Sequence, residues 1–273
     1  MIIPAHGRAD TVGVAARSAL QQTVSEIEVV VVDDGSMPAL DLRAITDIRL
    51  NVVRHHRNKG AAAARNTGVA HARGRFIAFL DSDDAWLPEK LARQLPLAAD
   101  GRTVVACGWR YVREGVPDAR ALVPRPAADP ETFAAGCWFS PGSTALIPRS
   151  VIERVGPQDE QLSTLEDYDW YLRFGAGGGR LAVVEEELVR IAWRGRADTV
   201  RTAAAVAALR GKYPPGDPVL AGNRRRFEAY LDLVDASSQW YARHRAAALG
   251  RLWRSWRARP RVTLQLARWW RRA

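Results

Sequence analysis

Three carboxylates, Asp81, Asp83 and Asp84, stand within four positions at "DSDD", directly after the uncharged run "FIAFL". Carboxylates crowded in this way stay ionised only beside a cation or hydrogen-bond donors. An Asp-x-Asp pair at a strand end suits Mg²⁺ or Mn²⁺, hard ions that take oxygen ligands, bridge to substrate phosphates and offset charge on a leaving diphosphate. A solvated acidic turn that opens the next helix explains this motif alone equally well. A second cluster, "DDGS", sets Asp33 and Asp34 after "VVVV", where a carboxylate can accept from a ribose hydroxyl or a base N–H, or simply form an Asp-Gly turn. A third pair, Glu166 and Asp167, follows Ser163 at the spacing of a capping box, with Ser163 and Glu166 as its partners. Asp169 reads as a solvated or Arg-paired helix residue. His55, His56 and His71 carry no metal-ligand spacing and read as surface residues.

These groups need a scaffold, and the first 110 residues describe one. Short β-branched runs at Ile2–Ile3, "IEVVVV" (27 to 32), "IRLNVV" (48 to 53) and "RFIAFL" (75 to 80) alternate with helical patterns. Asp10 is placed to cap a helix over Val12 to Leu20, Gly74 to stop an alanine-rich helix from Gly60 to Arg73, and Pro88 to start another at its first position. "IEVVVV" is apolar at nearly every position, as a parallel strand covered on both faces is. The alternation predicts an α/β, Rossmann-like, mostly parallel sheet with helices on both faces and a ligand site at the carboxyl ends of its strands, where "DDGS" and "DSDD" both fall. The stretch 111 to 160 is rich in Pro and Gly and harder to assign. "STALIPRSVIERVG" (143 to 156) reads as strand, turn and short helix, and the chain beyond about 200 as helical, with "AGN" (221 to 223) as a hinge.

Composition excludes several classes. A chain of 273 residues that is 47% hydrophobic buries a sizeable core. Cys107 and Cys137 alone allow no disulfide framework and fit a reducing compartment. No apolar run reaches the roughly 18 to 20 residues of a membrane span, and no signal peptide is evident, so a cytoplasmic location is expected. The first strand starts at residue 2, which is compatible with a few residues preceding Met1. The net charge of +10 resides in residues 223 to 273, which hold 13 basic and 3 acidic side chains.

Taken in order, "IIPAHGRAD", "VVVVDDGS", "NKGAAAARNTGVAHARGRFIAFLDSDDAW" and "EDYDWYLR" resemble the inverting nucleotide-sugar glycosyltransferases of family 2, which have the GT-A fold. The resemblance covers about residues 1 to 195. It implies a glycosyltransferase domain over 1 to 200, with a nucleotide-binding half to about 110 and an acceptor half over about 111 to 200, followed by a basic, Trp/Arg-rich helical extension over 201 to 273. It implies that Ala5, His6 and Asp34 hold the nucleotide base and ribose with Asp33 in support, and that Arg65, followed by Asn66, meets the base or diphosphate. Asp81 would contact the donor sugar or ribose, Asp83 a Mg²⁺ or Mn²⁺ ion, and Asp167 would be the general base. The implied partners are a nucleotide-diphosphate sugar and a glycan or lipid-linked acceptor. Trp138 and Phe139, in "GCWFSPGSTALIP" (136 to 148), fall where the family forms its acceptor-side wall, although ordinary core aromatics read the same way. Two departures stand out. "VRIAWRGRADTV" (189 to 200) lacks the family's His, with Arg194 or Arg196 able to replace its charge but not its metal ligation, and Gly7 replaces a usual Asn.

Two rival functions remain at this level. A sugar-1-phosphate nucleotidyltransferase shares the layered plan but would want a Gly-rich, basic phosphate loop after the first strand, where "PAHGRAD" offers only Gly7 and Arg8. A non-catalytic nucleotide-sugar-binding or scaffold protein, tethered by its basic tail, accounts for the missing His but not for an intact Asp167. The tail from 243 to 273 interleaves Trp253, Trp256, Trp269 and Trp270 with ten Arg. It reads as an interfacial helix peripheral on an anionic membrane, or as a helix packed on the catalytic domain or a partner protein; nucleic acid is the weakest fit.

Overall fold

The computed structural model of the chain describes residues 1–112, 121–138, 142–192, 198–259 and 271–272. Strand β1 (Ile2–Ala5) leads to helix α1 (Val12–Leu20), then β2 (Val29–Asp33), β3 (Leu50–Arg54) and α2 (Ala61–His71). β1, β2 and β3 are parallel, with Ile2 opposite Val30 and Val30 opposite Asn51. β2 is buried at all positions because its alternate side chains meet different helices. Val29 and Val31 share a core with Ala15, Ala16 and Ala19 of α1, whereas Val30 and Val32 meet Ala64 of α2. Each fully buried valine contributes about 1.5–3 kcal/mol. Helix α2 lies close on the sheet because Gly68 has no side chain; a Cβ there would sit 2.2 Å from Ile2 Cγ2.

The run "RFIAFL" does lie beside β1: the Ile2 N–H donates to the Ala78 carbonyl and the Leu80 N–H to that of Ile2, each at 2.9 Å. Its own ladder is β4 (Phe76–Ile77), followed by β5 (Ala85–Trp86), α3 (Lys90–Gln94), β6 (Thr103–Val112), β7 (Leu122–Val123) and α4 (Pro130–Ala134). Next come β8 (Ile147–Pro148), α5 (Arg149–Val155), α6 (Glu166–Ala176) and β9 (Arg180–Ala192). β4 pairs antiparallel with β8, Leu146 bridges to Val105 of β6, and β6 runs parallel to β9 through an irregularity between Cys107 and Trp109. These contacts join the strands into one sheet in the order β3-β2-β1-β4-β8-β6-β9. β5 extends it beyond β9, and β7 pairs antiparallel with β6. The polar ends of β1 and β2, and the turn after residue 80, therefore lie along one edge.

Local signals fail where tertiary partners replace them. Asp10 does not cap α1, whose N-cap is Thr11 with no side-chain bond. Helix α2 ends at His71, before Gly74, because the Glu28 carboxylate takes the N–H groups of Arg73 and Gly74. Pro88 stands outside α3, which begins at Lys90.

The chain continues into α7 (Thr199–Lys212), α8 (Arg224–Tyr241), α9 (Arg245–Ala258) and the short β10 (Arg271–Arg272), which pairs with β7. α7 and α8 share a core with α6, in which Leu209, Phe227 and Leu231 meet Tyr168 and Leu172. Of the two readings of Asp169, the Arg-paired one holds and the solvated one does not. Asp169 is fully buried and accepts from the Tyr213 hydroxyl at 2.7 Å, from Lys212 Nζ at 2.8 Å and from Arg173 Nη2 at 3.0 Å, tying α6 to the end of α7.

Candidate functional site

The "DDGS" turn is built from the ends of β1 and β2. Gly35 has φ +73°, and a Cβ on it would approach the Arg57 backbone to 2.4 Å, so the turn requires glycine. Asp33 is buried; its Oδ1 accepts from the Ser36 N–H at 2.9 Å and its Oδ2 from that of Leu40 at 3.2 Å. Burial works against its charge, but bonds from the Ser36 hydroxyl and these amides, with Arg54 nearby, hold its carboxyl below the usual range. Asp34 turns toward the following helix. Its Oδ1 accepts from Lys59 N–H at 2.8 Å and its Oδ2 from Gly60 N–H at 2.8 Å. Across the β1 end, Ala5 is buried opposite Asp33, and exposed His6 places Nδ1 2.9 Å from the Asp34 carbonyl.

His55 is not a surface residue. It is 7% exposed, its Nδ1 donates to Asp34 Oδ1 at 2.7 Å, and its Nε2 meets the Thr67 hydroxyl at 2.9 Å. It pins the end of β3 to both β2 and α2. The partners lie 21 and 12 residues away, so nothing local in the sequence marks it. Losing two buried hydrogen bonds costs about 1–3 kcal/mol. His55→Ala is therefore expected to lower the urea midpoint by that much stability at unchanged m-value; an unchanged midpoint would contradict the assignment.

The three carboxylates of "DSDD" diverge. Asp81 accepts from Arg65 Nη2 at 2.9 Å. Asp83 faces Arg8, 4.0 Å away, and burial, then the charge of Asp81, raise its carboxyl against the pull of that arginine. Asp84 does not start a helix. It is buried, accepts from the Ser143 hydroxyl at 2.5 Å and from the Ala192 N–H at 3.0 Å, and is pushed up to about 8 by burial and by Asp81. Ser143 organises the turn from a distance: its hydroxyl also accepts from the Asp81 N–H at 3.0 Å, and its carbonyl from Trp86 Nε1 at 2.8 Å.

Arg65 joins this cluster to the third one. Its Nη1 donates to Glu166 Oε1 at 2.7 Å while Nη2 holds Asp81, and its buried Nε finds no partner among the described residues. Glu166 is thus not half of a capping box. Leu165, in the left-handed region at φ 64°, precedes α6 with no side-chain cap, and Arg65 takes the Glu166 carboxylate from 101 residues away. Asn66 fixes the approach to α6 by bonding the Gln158 N–H and carbonyl and Glu160 Oε1. Asp167 is partly buried, and its Oδ1 accepts from the Tyr168 N–H at 2.7 Å. Burial and the neighbouring Glu166 charge push its carboxyl up to about 6, against the pull of Arg65.

Two clefts meet at Arg65 and Asp81. One, of about 750 Å³, is lined by Ala5, His6, Arg8, Asp34, Asp83 and the start of α2. The other, of about 720 Å³, is lined by Asp167, Trp109, Trp138, Trp170, Tyr171 and Tyr230. The first is polar and suits a charged, hydroxyl-rich ligand. The second offers aromatic faces beside a carboxyl poised near neutrality. Trp138 belongs to this wall, half-buried against Tyr230 with ring centroids 5.2 Å apart. Phe139, Arg194 and Arg196 lie outside the described residues. No three His, Cys, Asp or Glu side chains converge among the described residues. Asp83, in the polar cleft beside Arg8, is a carboxylate of the kind that Mg²⁺ takes together with phosphate oxygens and water.

A family model described as "Glycosyl transferase family 2" matches residues 1–156. The succinoglycan biosynthesis protein ExoO of Rhizobium meliloti (strain 1021) is 35% identical over 199 residues, which is 67% of this chain and 57% of that protein. The UDP-Glc:alpha-D-GlcNAc-diphosphoundecaprenol beta-1,3-glucosyltransferase WfgD of Escherichia coli is 38% identical over 99 residues, 36% of this chain and 39% of that protein. This chain therefore spans 57% and 39% of the length of these two relatives. Among solved structures, S. aureus TarS 1-349 in complex with UDP superposes with a TM-score of 0.62 at 16% identity, covering 98% of this chain and 90% of that one. That likeness bears out the mostly parallel α/β sheet expected from the alternating strands and helices, and the GT-A fold that the resemblance to family 2 implies.

Proposed function

This chain belongs to glycosyl transferase family 2, and from that premise we propose that it moves a sugar from a nucleotide-diphosphate donor to a hydroxyl of a glycan or lipid-linked acceptor with inversion. The observation that carries the reading is the meeting of two chemically different clefts at Arg65, with Asp34 and Asp83 on one side and Asp167 on the other. The polar cleft takes the donor. Ala5 and His6 border the base, Asp34 accepts from the ribose with Asp33 holding the turn behind it, and Asp81 faces the ribose or donor sugar. Arg65 lines both clefts, and its buried Nε has no partner among the described residues, so its guanidinium borders the donor diphosphate. The UDP held by the structural neighbour, and the UDP-Glc and diphosphoundecaprenol in a relative's name, support a uridine nucleotide and a lipid-linked acceptor.

The chemistry is one in-line displacement. An acceptor hydroxyl in the aromatic cleft gives its proton to the Asp167 carboxylate as its oxygen bonds to the anomeric carbon, and the bond from that carbon to the diphosphate oxygen breaks on the opposite face. A carboxyl near 6 is charged at neutral pH yet basic enough to take that proton. Arg8 and Arg65 border the path of the leaving diphosphate. Asp83 is the residue that would hold Mg²⁺ or Mn²⁺, which when bound neutralises charge on the diphosphate.

Calorimetric titration with UDP tests the donor assignment. Mn²⁺ is expected to tighten binding to the wild type, and Asp83→Asn to abolish at least about ten-fold of affinity in its presence. Equal tightening in both proteins would remove Asp83 from the metal site.

A further inference from the structure

Helix α9 packs on α8 through one face and leaves another without a partner among the described residues. Ala248 and Ser255 are buried against α8, where the Ser255 hydroxyl donates to the Ala229 carbonyl at 2.7 Å. Leu249, Trp253 and Trp256, spaced four and three residues apart, form one outward stripe, and they are 58%, 56% and 51% exposed. Trp253 and Trp256 therefore face away from the catalytic domain, and Trp269 and Trp270 lie outside the described residues. Arg257 lies over the Trp253 ring at 4.7 Å, and at the start of the helix Arg245 lies over exposed Trp240 at 3.8 Å.

The charge around this stripe is one-sided. Residues 223 to 273 contain only three acidic side chains, Glu228, Asp232 and Asp235. All three are paired at the inner contacts of α8: Glu228 with Arg210 and Arg224, Asp232 with Arg210 and Arg254, and Asp235 with Arg251. No carboxylate of this segment is left to balance Arg243, Arg245 and Arg257. Among the described residues no helix is long and apolar enough to cross a membrane. A helix of 14 residues with a Trp/Leu stripe flanked by arginine instead has the form that lies in the plane of a bilayer, rings at the acyl boundary and guanidinium groups among phosphates.

We propose that the outer face of α9, built on Leu249, Trp253 and Trp256 with Arg245 and Arg257, docks on the surface of an anionic phospholipid bilayer. Positive charge that no side-chain carboxylate of its own segment balances selects the negatively charged headgroup, and the exposed indoles account for a surface that water alone does not favour. The inference is independent of the proposed reaction, because none of these residues lines either cleft.

Co-sedimentation of the full chain with vesicles tests it, using phosphatidylcholine alone and phosphatidylcholine mixed with phosphatidylglycerol. Binding is expected only to the mixed vesicles and is expected to weaken as salt is raised. The double variant Trp253→Ser, Trp256→Ser should bind at least about ten-fold more weakly, and Arg245→Glu with Arg257→Glu should lose the preference for phosphatidylglycerol. Both pairs are exposed, and unchanged melting and UDP titration would verify that the variants are folded. Equal pelleting of wild type and variants, pelleting without regard to lipid charge, or displacement from the vesicles by duplex RNA at matched charge would each overturn the proposal.

Discussion

Asp167→Asn is expected to lower kcat by roughly 10²–10⁴-fold, the share that a positioned general base supplies, and to leave UDP affinity within about two-fold of wild type. The amide keeps the shape and its contact with the Tyr168 N–H but cannot take a proton. The environment of Asp167 also sets a pH dependence. Burial and Glu166 hold it up at about 6, and the base works only when deprotonated. In the wild type, kcat/KM should therefore rise about ten-fold per pH unit below that value and level off above it. A flat profile between pH 5 and 7 would take the proton-accepting role away from Asp167.

Arg65→Met is the second large effect, and it acts in three ways at once. Arg65 is the cation between Asp81 and Glu166, whose side chains are 38% and 12% exposed. Removing it leaves the more buried carboxylate unpaired, at a cost of on the order of 3 kcal/mol, discounted on the Asp81 side by solvent. Arg65 also pulls Asp167 down, so the acid limb of the pH profile should move upward in the variant. UDP affinity should fall by at least about ten-fold, because the Arg65 guanidinium borders the donor cleft. The shift of the acid limb separates a role in the site from mere support of the fold, since a structural residue would lower stability without moving it.

What was legible in the sequence was carried by strands and by the residues at their ends. The run Val29–Val32 marks a doubly covered strand because its two faces meet different helices, and the carboxylates after it can only lie at the sheet edge. Asp34, Asp81, Asp83, Arg65 and Asp167, marked by position or through the resemblance to family 2, line the two clefts, and Asp33 holds the turn behind Asp34. What escaped was set by contacts distant in sequence. His55 looks like a loop residue until Asp34 and Thr67 are brought to it. Asp84 looks like a helix start until Ser143 and the Ala192 N–H bury it. Glu166 has the spacing of a capping box, but a charged partner 101 residues away outweighs a local amide. The same limit explains Asp10, Gly74 and Pro88, each a sound local signal displaced by tertiary geometry. Ser143 gave no signal, because a small polar residue in a short turn reveals its role only through what it holds, and Asn66, visible only as the neighbour of Arg65, shows its bonds to Gln158 and Glu160 only in the fold.

The measurement that tests the central claim most directly is turnover of a panel of nucleotide sugars with Mn²⁺, comparing wild type with Asp167→Asn. The two-cleft account predicts that the wild type consumes at least one donor, and that Asp167→Asn binds the same donor but transfers or hydrolyses it at least about a hundred-fold more slowly. Equal turnover by the two proteins would contradict it.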